Sequence, residues 1–280
     1  MRALLNVLDD LFYQFRLGGA LGARLGCVLS YYASYLGGRL RGLEQGESRT
    51  RALRALGERG VPARVVTVSW PPGLKMACDL FSAAFMIKEF DADRMYELVP
   101  GFHPQSGQTV VDVGGHQGFF TVPAAAAVGP TGRVVTVEAD PGNFALLKRN
   151  VEANGLGQVV LVPMAAADKA GRARFFVFKE VTGGSLVMEV EGTRAIEVET
   201  DTLDAILERQ GVAKVDLMKI DVEGACLSVL KGAPKALAGR PRLVMEVEGD
   251  DAQVDAVRAH LAGLGYATER FGAIVYARPS

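Results

Sequence analysis

The apolar positions change period along the chain, and each change marks an element. Leu4, Leu5, Leu8, Leu11, Phe12 and Phe15 fall on one helical face, and Leu21, Leu25, Val28, Leu29 and Tyr32 repeat the spacing after Gly18-Gly19. Two amphipathic helices are therefore expected, followed by a polar, basic helix and linker from Gly42 to Gly60. Alternation from Val65 to Trp70, closed by Pro71-Pro72, predicts an exposed strand, with Lys75 to Phe81 as its hairpin partner. Asp91 to Val99 reads as a helix. Beyond it come five short apolar runs, Thr109 to Val113, Arg133 to Glu138, Val159 to Val162, Lys214 to Asp221 and Arg242 to Val247, of the kind buried on both faces of a parallel sheet. Helical segments starting near Phe119, Pro141, Thr202, Glu223 and Asp250 separate or follow them, giving βαβ units. Leu227, Leu230 and Leu237 are taken as one helix. Arg172 to Phe178 and Ala195 to Thr200 interrupt the rhythm as an inserted hairpin over the ligand face, with Thr182 to Ser185 between them. Tyr266 to Arg270 and Ala273 to Ala277 close the sheet as an antiparallel hairpin.

The stretch T-V-V-D-V-G-G-H-Q-G-F-F-T at 109–121 joins a buried strand to a glycine turn and an apolar helix. Its loop borders the carboxyl edge of the sheet, where nucleotide-like ligands bind. A dinucleotide fingerprint beginning at Gly114 requires glycines at 116 and 119, and these are His116 and Phe119; a phosphate-binding loop requires Gly-Lys-Ser/Thr, and the helix opens Gly118-Phe119-Phe120. NAD and ATP are both disfavoured. Glu138 ends the next strand, 20 positions after Gly118, where a carboxylate accepts both hydroxyls of a ribose. Asp168, after Ala166-Ala167, either borders an adenine or caps a turn. In the strand Lys219-Ile220-Asp221, Lys219 and Asp221 share a face, so with Glu223 they gather unlike charges at the ligand edge, beside Glu246 on the neighbouring strand.

Composition narrows the picture. The 280 residues, 49% hydrophobic and 22% charged, suffice for one α/β core with an appendage. The net charge of −1 and the lack of a long basic block make a nucleic-acid partner unlikely on electrostatic grounds. Cys27, Cys78 and Cys226 are scattered, without the spacing of a zinc site or a disulfide framework, and are expected as buried thiols in a reducing cytoplasm. Asp9 and Asp10 break the opening apolar run too early for a signal peptide, and Arg16 and Arg24 break any run long enough to span a bilayer. The opening helices then pack on the core, form a homo-oligomer interface, or lie on a membrane surface.

Several segments in order resemble the FkbM family of S-adenosylmethionine-dependent methyltransferases: D-V-G-G-H-Q-G at 112–118, V-E-A-D-P at 137–141, L-K-R-N at 147–150, T-L-D at 202–204, K-I-D-V-E-G at 219–224, V-L-K-G-A at 229–233 and M-E at 245–246. The resemblance covers roughly residues 75–250 and leaves the first 60 outside it. It implies a Rossmann-like class I methyltransferase fold, a seven-stranded, mostly parallel sheet with a closing antiparallel hairpin, over residues 61–280, after a helical extension over 1–60. It implies S-adenosylmethionine as cofactor, held by Asp112, Gly114, Gly115, Gly118, Glu138, Ala139, Asp168 and Asp221. The acceptor is expected to be a hydroxyl of a small or medium molecule such as a sugar, glycan, lipid or polyketide, with nitrogen or carbon acceptors and an inactive cofactor-binding scaffold as the alternatives. Asp221, Lys219, Glu223, Glu246 and His116 are the candidate catalytic residues. Asp221 either accepts the hydroxyl proton or, with Glu246, holds a magnesium ion that lowers the hydroxyl pKa. His116 is either a base or a hydrogen-bonding loop residue.

Overall fold

Two amphipathic helices open the chain, as their periodicity predicts: α1 (Arg2–Tyr13) and α2 (Leu21–Leu40), followed by α3 (Gln45–Glu58). The hairpin of β1 (Val65–Trp70) and β2 (Leu74–Asp79) is antiparallel, pairing Val65 with Asp79 and Trp70 with Leu74. A π-helical turn over Ser82–Met86 then runs into α4 (Ile87–Asp91). The computed structural model describes residues 2–61, 64–70, 73–91, 94–178, 184–188 and 193–280. By contact these form two units, Met1–Arg94 with Phe178–Thr182, and Met95–Val177 with Gly183–Ser280. The first unit thus takes in the hairpin and the helical turn after it. Its core is Cys27, Val28, Leu56, Val61, Leu80 and Ala84. Arg24 lies fully buried at the turn between α1 and α2, donating to the Gln14 carbonyl at 2.7 Å, the Leu17 carbonyl at 2.8 Å, the Gln14 side chain and the Gly19 carbonyl.

The second unit carries the predicted sheet. In chain order its elements are β3 (Thr109–Val113), α5 (Thr121–Val128), β4 (Arg133–Val137), α6 (Pro141–Ala153), β5 (Val159–Val162), β6 (Ala165–Ala167), β7 (Gly171–Val177), β8 (Gly184–Ser185), β9 (Arg194–Thr202), α7 (Leu203–Arg209), β10 (Leu217–Ile220), α8 (Cys226–Lys231), α9 (Pro234–Ala238), β11 (Arg242–Glu246), α10 (Asp251–Gly263), β12 (Tyr266–Phe271) and β13 (Ile274–Pro279). Seven strands pair in the order β12-β13-β11-β10-β3-β4-β5. From β11 to β5 all are parallel, while β13 is antiparallel to both β11 and β12. This is the Rossmann-like class I sheet with its antiparallel closing hairpin. The chain moves outward from β3 through β4 to β5 and returns on the other side at β10, so the order reverses between β3 and β10. Ligands of open α/β sheets bind beside such a reversal, at the carboxyl ends of the strands. Val111, Val135, Met218, Ile220, Leu243 and Met245 fill the centre of the core.

Helix starts follow local chemistry. Asp140 caps α6 by accepting from Gly142 N and Asn143 N ahead of Pro141, and Thr202 caps α7 by accepting from Ala205 N. Asp250 and Gln253 form a reciprocal capping box on α10.

Three predicted elements differ. No helix covers 94–99; the helical residues come earlier, where Asp79 Oδ1 accepts from Ser82 N at 3.0 Å and starts the turn after β2. The helix expected from Glu223 through Leu237 is two, because Pro234 has no N–H to continue it and Gly232 packs so closely that a Cβ would stand 2.0 Å from the Ala167 carbonyl. Ala165–Ala167 is a strand rather than a turn, and with the insertion it builds a separate sheet in the order β6-β9-β7-β8. The Thr182–Gly183 part of the expected T-G-G-S turn lies outside the described residues, as does Pro71-Pro72.

Replacing Arg24 with alanine leaves several buried carbonyls without a donor, each costing on the order of 1–3 kcal/mol. The Arg24→Ala protein is expected to lose protection against proteolysis in residues 1–94 and to melt earlier. A melting curve and cleavage pattern equal to wild type would rule out this role.

Candidate active site

A single buried lysine ties the strand ends together. Lys219 is only 2% exposed, and in the parallel register it stands directly beside Asp112, which in turn stands beside Thr136. Lys219 Nζ donates to the Gly114 carbonyl at 2.6 Å and lies 3.2 Å from Asp112 Oδ1 and 3.4 Å from Asp221 Oδ2. Burial alone would push the ammonium down, but Asp112 and Asp221 outweigh it and hold its pKa above the usual lysine range. Asp112 is fully buried and accepts from Thr121 Oγ1 at 2.6 Å, which also meets Thr136 Oγ1 at 3.1 Å. Its carboxylate is thus turned into the protein, toward Lys219 and the start of α5, and offers no exposed oxygen to a ligand.

The glycine loop sits across the ends of β3, β4 and β10. Gly114 has φ 82°, and a Cβ there would lie 1.7 Å from the Asp221 carbonyl, so only glycine lets the loop cross β10 so closely. Gly114 N and Gly115 N both donate to the Val137 carbonyl, at 2.9 and 3.1 Å. Gly118 has φ 99°. Gln117 is fully buried; its side chain donates to Asn143 at 3.1 Å, and Asn150 donates to its carbonyl at 2.8 Å, anchoring the loop to α6.

Glu138 closes the loop from the β4 side. Its Oε2 accepts from His116 N and its Oε1 from Asp140 N, both at 2.7 Å. Burial raises its pKa to about 7 against the pull of those two N–H groups. Each oxygen keeps acceptor capacity beyond one N–H bond. His116, with φ 50°, engages Glu138 through its backbone, and its ring lies 5.5 Å from that of Phe119. Ala139 packs with Ala165, Phe175 and Val198 beneath the inserted sheet. Asp168 is exposed at the end of β6; its N–H donates to Ser228 Oγ, and among the described residues no hydrogen bond or ion pair joins its side chain to the other candidates.

On the other side of the reversal the carboxylates gather. Tyr96, 3% exposed, places its hydroxyl 2.8 Å from Asp221 Oδ2 and 3.2 Å from Glu246 Oε2, while its ring meets Phe120 edge-on and lies 5.5 Å from Lys219 Nζ. Asp221, Glu246 and Glu248 each present an oxygen within 4.8 Å of the others. Glu223 follows in a left-handed conformation, φ 49°, which turns Gly224 N toward Glu248 Oε2 at 2.8 Å. The insertion reaches this block, because Ser185 Oγ donates to the Glu223 carbonyl at 2.6 Å. Burial, then the neighbouring acids, raises Glu223 to about 8, Glu246 to about 7 and Glu248 to about 6.

The structure therefore brings together Lys219, Asp221, Glu223 and Glu246 on one side and Gly114, Gly115, Gly118, His116 and Glu138 on the other. Sequence reasoning missed Tyr96 and Glu248. Glu248 was signalled by the period-two spacing Glu246-Val247-Glu248, in which Val247 is buried and both acids share the opposite face. Nothing local signals Tyr96.

Glu138, Glu223, Glu246 and Glu248 all have folded pKa values above the ordinary 4.5 of glutamate. The folded protein therefore holds protons that the unfolded chain has released, and its stability falls as pH rises through that window, levelling off above about 8. The melting temperature without ligand is expected to drop from about pH 5 to about pH 8, with Glu223→Gln flattening the slope. A rising or level profile would contradict the clustering of these acids.

The sequence profile described as the methyltransferase FkbM domain matches residues 112–268, more than half of the chain. Among curated proteins, methyltransferase sdnD of Sordaria araneosa is 26% identical over 187 residues, covering 56% of this chain and 71% of that protein. The 31-O-demethyl-FK506 methyltransferase FkbM of Streptomyces tacrolimicus is 29% identical over 235 residues, covering 72% and 89%. Among solved structures, a putative rRNA-methylase from Clostridium thermocellum superposes with a TM-score of 0.45 at 13% identity, over 68% of this chain and 96% of that one. With its glycine loop and acidic strand ends inside the matched region, the chain belongs to the FkbM methyltransferase family.

Proposed function

We propose that this methyltransferase uses S-adenosylmethionine to methylate a hydroxyl oxygen of a small or medium-sized molecule, with Asp221 as the proton acceptor. The observation that carries the reading is the setting of Asp221. It is a part-exposed carboxylate at the end of β10, at the reversal of the sheet, beside the glycine loop. The relative named as a 31-O-demethyl-FK506 methyltransferase supports oxygen as the atom methylated.

The donor set suits the cofactor. Glu138 has acceptor capacity left for two ribose hydroxyls, and no cationic phosphate cradle is needed for a ligand without phosphate. When bound, the cofactor supplies a methyl group already activated on a sulfonium. Asp221, Glu246 and Glu248 gather acidic oxygens at the strand ends, a setting that would favour a cationic group there. Lys219 and Tyr96 both engage Asp221 Oδ2, and among the described residues no hydrogen bond is made to Oδ1. Oδ1 is thus the oxygen free to take the hydroxyl proton as the acceptor oxygen becomes nucleophilic. Lys219 pairs with Asp221 as its cation, and Tyr96 fixes its direction. Holding acceptor and base in one geometry is most of what methyl transfer asks of the protein.

A second reading is favoured by the three oxygens of Asp221, Glu246 and Glu248 within 4.8 Å. Hard carboxylate oxygens suit magnesium. These three residues would hold the ion, which would lower the acceptor hydroxyl's pKa.

Glu138→Ala removes two charge-assisted hydrogen bonds to the ribose, each worth on the order of 1.5–3 kcal/mol, so S-adenosylhomocysteine should bind at least about tenfold more weakly by calorimetry. Unchanged affinity would reject Glu138 as the ribose ligand. Asp221→Asn is expected to lower turnover by roughly 10²–10⁴ while leaving that affinity nearly unaltered. A chelator separates the two readings: activity lost with it and restored by magnesium indicates the metal, whereas indifference to it indicates the base. Near wild-type turnover in Asp221→Asn would refute both.

A further inference from the structure

α2 carries an apolar ridge that its own unit does not cover. At 100° per residue, Leu21, Leu29, Leu36 and Leu40 fall within an arc of about 100° along a helix about 30 Å long. All four are exposed, Leu29 by 54% and Leu40 by 89%, while Cys27 on the opposite side and Val28 at the edge of the arc enter the core, and Tyr32 within the arc is half-buried against it. Phe12 on α1 and Phe15 in the following turn are exposed by 68% and 64%. Exposed leucines repeated along one side of a helix, with two exposed phenylalanines nearby in the chain, are apolar exposure of the kind that marks an interaction surface.

The charge pattern says what kind. There is no acidic residue between Asp10 and Glu44, and the cations Arg16, Arg39 and Arg41, all exposed, adjoin Phe15 and Leu40. Asp9 and Asp10 are both engaged by Lys88, and Asp10 also accepts from the Tyr32 hydroxyl. Residues 1–64 hold ten arginines and five acidic residues, a net charge of +5 in a chain whose total is −1. An apolar ridge edged by arginines and free of acids matches the boundary of an anionic bilayer, where acyl chains and negative headgroups meet. Two copies of the same ridge would instead bring their arginines together. No described helix is long and apolar enough to cross a membrane, so the face is suited to lying on one.

We propose that the amino-terminal unit docks on anionic membrane surfaces through the exposed ridge of α2, with Phe12 and Phe15 adding to the contact. This does not depend on the reading of the active site. The experiment is co-sedimentation of the full chain with vesicles of phosphatidylglycerol and phosphatidylcholine in equal parts, compared with phosphatidylcholine alone. Binding to the mixed vesicles, weakened by salt, is expected. Leu29→Glu with Leu36→Glu should reduce it at least tenfold, and Arg39→Glu with Arg41→Glu should weaken it while leaving the ridge intact. Both pairs are at exposed positions, and an unchanged melting curve checks that each variant is folded. Failure to bind the mixed vesicles overturns the proposal. So does binding that neither variant weakens. A concentration-dependent dimer abolished by Leu29→Glu, without vesicle binding, would overturn it in favour of a second copy of this chain.

Discussion

The buried ammonium of Lys219 is the contact on which the strand ends depend. It sits on β10, reaches the loop after β3, and meets carboxylates from both strands. Removing one partner from such a group leaves an uncompensated charge where water cannot reach, which is far more costly than the pair is stabilising. Lys219, Asp112 and Gly114 are therefore mutually required. The same bond network decides where the site's charge resides. Asp112 takes the inward side of the ammonium and Asp221 the outward side, so one cation both fastens the sheet and leaves a part-exposed carboxylate at its rim.

Around that cation the site has two halves of different character. On the β4 side the polar groups are satisfied by backbone: Glu138 receives two N–H groups, and Gln117 and Asn150 lock the loop to α6. On the β11 side, Glu223, Glu246 and Glu248 crowd around Asp221 with burial adding to their mutual repulsion. The first half is organised before any ligand arrives, whereas the second favours whatever brings positive charge or protons.

How much of this was legible depended on the range over which each signal acts. Strands buried on both faces leave runs of valine, isoleucine and leucine, so β3, β4, β10 and β11 could be read directly, and β5 carries the same kind of run although it is the half-buried edge strand. Helix starts with Asp140, Thr202 and Asp250 were equally local. The pairing of Lys219 with Asp112 was not, because it follows from register between strands more than a hundred residues apart, and period-two alternation says which residues share a face without saying what stands beside them. Asp112 therefore read as a ligand group although it points inward. Tyr96 is the extreme case: its partners lie 125 and 150 positions away, in a stretch whose apolar spacing suggested a helix. The break between α8 and α9 was visible as Gly232-Ala233-Pro234, but the close approach of Gly232 to Ala167 that explains it was not.

With β6 the insertion forms a four-stranded sheet that, among the described residues, shares no ladder with the seven-stranded one, and it touches the K-I-D-V-E-G block through Ser185. Its strands can lengthen, shorten or change sequence without breaking a single rung of the main sheet. Divergence there leaves the ladders of the main sheet in place, so descendants of one ancestral chain could rebuild β7 to β9 around the same glycine loop and buried lysine, provided the Ser185 contact to Glu223 is kept or replaced.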